Sequence, residues 1–145
     1  MKNNKFFLAA IVGSAVFFLL GYLTFGILLK DFLNNNSGLT RDVLEKFHKP
    51  MDQINWYAMV LSHLAAGFLF ATIALWANAR TLGAGARVGA VIGFLLTVHM
   101  NCLYYGVSNM YTLSSLIVET LAVTVIITIM TAVIAMILGK GKTTN

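Results

Sequence analysis

Residues 113–138 read LSSLIVETLAVTVIITIMTAVIAMIL, an apolar run holding a single acid, Glu119. A helix needs about 20 predominantly apolar residues to cross the hydrocarbon core of a bilayer, and this stretch exceeds that length. An ionised carboxylate is costly at such a depth, so Glu119 requires a partner, a proton or a water-filled cavity. Whatever meets it must come from other apolar segments at the same level.

Those segments dominate the chain. Of its 145 residues 59% are hydrophobic and 10% charged, and its mean hydropathy is +0.81. A soluble domain carries about 25% charged residues, so the polar surface that would cover a globule is missing. An all-α integral membrane protein is the class that fits, with the lipid bilayer as its first partner. The formal charge of +5 is small and sits at segment ends, with no basic stripe of interleaved aromatics, so nucleic acid is excluded.

Four spans are expected, at about 6–29, 56–77, 88–106 and 113–138, within one transmembrane domain covering 1–145. The first follows the basic start Lys2 and Lys5 and stays bulky and apolar through Leu29. That is longer than the roughly 7–15 apolar residues of a signal peptide, so it reads as a retained helix. Residues 30–55 form the one sizeable polar segment, opening with the loop residues Asn34-Asn35-Asn36-Ser37-Gly38. From Thr40, the apolar Val43, Leu44, Phe47 and Met51 recur at helical spacing, predicting a short amphipathic helix on the membrane surface that Pro50 ends or bends. Asn55-Trp56-Tyr57 and Trp76 mark the ends of the second span, and residues 79–87 read as a tight polar connection.

Basic residues orient the bundle. Lys2 and Lys5, Arg80 and Arg87, and Lys140 and Lys142 all fall on one side of a four-span chain. The positive-inside rule makes that side cytoplasmic, with both termini there, residues 30–55 outside, and the inner membrane as location. In this topology Tyr22, His63, His99 and Glu119 each lie about 6–7 residues from the outer end of their helix, a common depth of roughly 10 Å. One hydroxyl or titratable group from each helix thus forms a candidate intramembrane polar layer.

Helical phase separates this layer from packing faces. Gly85, Gly89 and Gly93 lead to Thr97 and Asn101 on one face of the third helix, a candidate surface for close helix contact. His99 points away from Asn101. His63 shares its face with Gly67, Ala71 and Ala74, and Thr120, Thr124, Thr128 and Thr131 form a stripe beside Glu119 that reads as packing. The first reading of the layer is structural, with a protonated Glu119 hydrogen-bonded to a histidine or to Tyr22. The second is proton or ligand chemistry, and the third is metal or haem held by His63 and His99. Leu95, Leu96 and Leu103 crowd His99, so no cofactor and no metal is expected.

Cys102, the sole cysteine, reads as a small buried hydrophobe, and His48 as a surface histidine. No nucleophile elbow, P-loop, zinc-protease or dinucleotide motif occurs, so nothing supports an enzyme. Gly21-Tyr22-Leu23-Thr24-Phe25-Gly26-Ile27-Leu28 before a polar loop, Gly89 to Gly93, and the Gly139-Lys140 ending give a further comparison. In these features the chain resembles small four-helix bacterial membrane proteins grouped as a domain of unknown function. That resemblance implies a four-span fold and no activity. Small four-helix multidrug exporters differ, since their essential acid stands in the first helix, which here has none. The expected role is that of an accessory or assembly protein in a homo-oligomer or larger complex. The alternative is a small-solute or proton transporter or channel built on Glu119, His63 and His99.

Overall fold

The computed structural model describes residues 2–140; Lys142 lies outside them. Six α-helices and no strand are found among the described residues. Helix α1 (Lys2–Gly21) continues into a π-helical stretch at Tyr22–Leu28. The short helices α2 (Lys30–Asn35) and α3 (Arg41–Phe47) follow, then a single 3-10 turn at Met51–Gln53. Three long helices complete the chain: α4 (Trp56–Trp76), α5 (Leu82–Val107) and α6 (Leu113–Gly139). Four segments, Asn4–Leu28, Trp56–Trp76, Leu82–Val107 and Leu113–Gly139, are long and apolar enough to cross a membrane. The expected all-α membrane bundle is therefore the fold.

The third of these helices starts at Leu82 rather than Val88, inside the expected connection. Thr81 caps it, its hydroxyl oxygen accepting from the Ala84 amide at 3.2 Å, which satisfies one of the free donors of a helix start. The small residues Gly83 to Ala86 are helical because Gly85 lies against α6. The connection shrinks to a turn in which Asn78 takes the left-handed conformation, φ 50°. Asn78 and Ala79 donate back to Leu75 and Ala74 at 3.0 and 2.9 Å, the pattern that closes a helix C-terminus. In the loop, α3 stops at Phe47, before Pro50. A proline disfavours helical conformation at the residue just before it, here Lys49, and the chain has already left the helix at His48, extended at ψ 126°.

Helix α6 is the hub: it packs against α5, α1 and α4, while α1 also packs on α4 and α5 barely reaches α4. Accordingly 44% of its apolar window is buried, against 22% in each of the other three spans. Met130 and Ile134, two of its largest fully enclosed side chains, cluster with Ala9 and Ala10 from α1 and Phe70, Ala71 and Ala74 from α4, while the enclosed Thr131 lies against Gly85 and Gly89 of α5. Close approach is made by glycine. A Cβ on Gly85 would stand 2.6 Å from the Thr131 carbonyl oxygen, and one on Gly89 2.9 Å from that of Ile127. The threonine hydroxyls are satisfied within α6, Thr124, Thr128 and Thr131 each donating 2.7 Å to the carbonyl one turn before. Between α5 and α6, the buried Asn101 amide donates to the Thr120 hydroxyl at 3.1 Å.

The two ends of the bundle are tied differently. At one end Lys5 donates to the Lys140 carbonyl and Gly139 lies directly against the Arg80 carbonyl. At the other, the Thr112 hydroxyl donates to the Asn36 carbonyl at 2.6 Å and the Gly38 amide to that of Met110 at 3.2 Å. A side chain at Gly38 would collide with the Asn109 carbonyl. The spans thus alternate in direction, with Lys5, Arg80 and Lys140 at a basic end and residues 30–55 at a loop end.

Candidate functional site

The loop end of the bundle is not filled. A turn of π-helix closes on the carbonyl five residues back, as the Leu29 amide does on Thr24 at 2.7 Å, and the wider winding rotates side chains off the α-helical register. Through Tyr22–Leu28 this carries Tyr22, Phe25 and Gly26 to the junction of two cavities. Glycine at 26 keeps the junction open: a Cβ there would stand 3.3 Å from the Tyr22 ring.

The cavity nearer the loop has a volume of about 900 Å³. Lys30, Glu45, His48 and Lys49 stand around it from the loop, and Tyr111, Ser115, Glu119 and Val123 from the α5–α6 turn and α6. The deeper cavity, about 710 Å³, is bordered by Phe17, Phe18, Leu19 and Gly21 of α1, Met59 and His63 of α4, and Ile126 of α6. Tyr22, Phe25, Gly26, Ile54 and Val123 line both.

Glu119 has its partner. The Tyr111 hydroxyl donates to its Oε1 at 3.0 Å. Two residues eight apart on one helix could not meet in this way, but Tyr111 precedes the helix. Thr112 is extended at ψ 163° and caps α6 in a reciprocal pair with Ser115, and Tyr111 is bridged to Ser37 across the loop end. The phenol therefore hangs beside the first turns of α6. Burial, and secondly the neighbouring Glu119, push the Tyr111 hydroxyl pKa above its ordinary value, so it remains a donor.

His63 is held on its own helix. Its Nδ1 lies 2.7 Å from the Met59 carbonyl oxygen, which can only accept, so Nδ1 carries a proton. Phe18 meets the imidazole edge-on at 5.1 Å and Phe17 tilts against it at 5.3 Å. Tyr22, 56% exposed, lines both cavities.

Of the four residues of the polar layer, Tyr22 borders both cavities, Glu119 the one nearer the loop and His63 the deeper one, and His99 borders neither. His99 is exposed on α5, the helix that barely meets α4, so the two imidazoles share no cavity. Among the described residues no three His, Cys, Asp or Glu side chains gather as metal ligands would. Sequence reasoning missed Tyr111, Lys30 and Lys49 as members of the site. For Tyr111 a signal existed: a Thr-x-x-Ser cap at 112–115 fixes the helix start and leaves the preceding tyrosine free to fold back. Compared with known protein families, with curated proteins and with solved structures, the chain matches none.

Proposed function

We propose that the chain is a small integral-membrane accessory or assembly protein of the inner membrane, both termini cytoplasmic. It works through helix–helix contacts in a homo-oligomer or larger complex. The observation that carries this reading is the position of His99. An ionisable side chain within a span nearly always faces a bundle interior or a water-filled cavity, yet His99 is exposed on α5 and borders neither cavity of its own chain. A second helix set against this face would give the imidazole the interior it lacks. Cys102, exposed on α5 rather than buried as its apolar sequence context suggested and one turn further along, supplies a native probe. Thiol crosslinking at Cys102 in native membranes is expected to give a discrete higher-mass species that His99→Leu weakens. A lone monomer in mild detergent, with no crosslinked species in membranes, would defeat the proposal.

One observation favours the transport alternative, namely that Glu119 and Tyr111 border a cavity ringed by charged loop residues. If Glu119 titrates during transport, Glu119→Gln abolishes proton or solute flux in liposomes while the bundle stays folded. Unchanged flux assigns Glu119 a structural role.

A further inference from the structure

The two adjoining cavities, which share five lining residues, differ in chemistry along the membrane normal, and that difference selects a ligand. At the loop end stand two exposed cations, Lys30 and Lys49, with Glu45 the carboxylate among the loop residues beside them. The second carboxylate of that cavity, Glu119, lies lower on the α6 side and is engaged by Tyr111. Beneath, the deeper cavity is bordered by Phe17, Phe18, Leu19, Met59 and Ile126, with His63 its one imidazole. Ile126 stands 13 residues past Leu113, roughly 20 Å down the helix at 1.5 Å per residue, so this chamber reaches toward the middle of the bilayer. Trp56 borders it at the start of α4, at the level where aromatic side chains meet lipid headgroups. Both volumes are of the size that encloses a small ligand, about 300–1,000 Å³.

We propose that these chambers form one binding site for an anionic phospholipid, its phosphodiester headgroup between Lys30 and Lys49 and an acyl chain passing the π-helical stretch into the deeper chamber. The head lies at the interface and the tail toward the midplane, the orientation of a lipid in the adjoining leaflet. The Tyr22 ring and the bare Gly26 form the neck between them. The site is independent of the assembly reading, since α5 contributes nothing to it.

Gly21 makes the tail half testable without breaking the fold. It borders the deeper chamber, and a Cβ built there meets nothing within 4 Å, so Gly21→Leu places a bulky side chain in the open space at the chamber's border while removing a weak helix former. The measurement is native mass spectrometry of the full chain titrated with dioleoyl phosphatidylglycerol, dioleoyl phosphatidylcholine and inorganic phosphate. One phosphatidylglycerol per chain is expected, bound more tightly than phosphatidylcholine with the same tails. A lysine near an anionic headgroup contributes about fivefold in affinity, so Lys30→Gln with Lys49→Gln should weaken binding roughly 25-fold. Gly21→Leu should lose the lipid yet unfold at no lower temperature than the parent chain. Equal binding of the two lipids overturns the proposal, as does wild-type binding by Gly21→Leu. Displacement of the lipid by inorganic phosphate alone also overturns it, assigning the head chamber to a free anion.

Discussion

At the scale of the residue, Glu119 shows how an acid is accommodated in an apolar helix: its donor comes from the turn just outside the span. Tyr111→Phe removes that donor and should lower stability in detergent by about 1 kcal/mol, the size of a hydrogen bond within a membrane bundle. Glu119→Gln keeps an acceptor oxygen in place and should cost less. A larger loss for Glu119→Gln in thermal unfolding would show that the phenol is not its main partner. Because the Tyr111 pKa is raised in the folded chain, the contribution of its protonated form is complete below the ordinary value near 10 and fades only as pH climbs through the raised one. Tyr111→Phe should therefore remove a late-titrating phenol from the tyrosinate absorbance curve. An unchanged high-pH absorbance curve in that variant would refute the assignment. The acid itself was legible in the sequence as a group in need of a partner. The partner was not, because its approach depends on two extended residues that carry no periodic signal.

Among the elements, α5 and α6 illustrate what periodicity can and cannot reveal. Glycines every fourth residue mark a face, and at Gly85, Gly89 and Gly93 that face is buried. The start of α5 was hidden, since Gly-Ala-Gly-Ala has the composition of a loop and becomes helix only through its contact with α6. Two substitutions separate these roles. Gly89→Leu forces a side chain into the Ile127 and Thr128 backbone and should destabilise by about 1–3 kcal/mol or more, as overpacking does. Gly83→Ala, with nothing within 4 Å of the new carbon, should be neutral or stabilising by up to about 1 kcal/mol. Circular dichroism melts in mild detergent would show both, and similar losses for the pair would rule out the close approach as the cause. The π-helical stretch had no legible signature: Tyr22–Leu28 is as apolar and helix-compatible as the turns before it.

For the whole molecule, the distribution of basic residues foretold the grouping of Lys5, Arg80 and Lys140 at one end, since alternating spans admit no other arrangement. Impermeant thiol reagents applied to intact cells should label a cysteine at Ser37 and not one at Arg80, in a chain whose Cys102 is replaced by serine. Labelling of both from the same face would contradict the alternating topology. Four spans were legible because length and hydropathy are local properties. Which helix would stand at the centre was not, because that is decided by pairwise fit. The position of α6 as hub also bears on how the protein is made. Synthesis proceeds from the N-terminus, so α1, α4 and α5 enter the membrane before the helix that joins them exists. Until α6 emerges, α5 has almost nothing to lean on, and the Asn36–Gly38 turn has no Thr112 or Met110 to receive it. The birth of this bundle is therefore completed late: α1 and α4 can pair as soon as both are in the membrane, while α5 waits in lipid for the last span to draw it in.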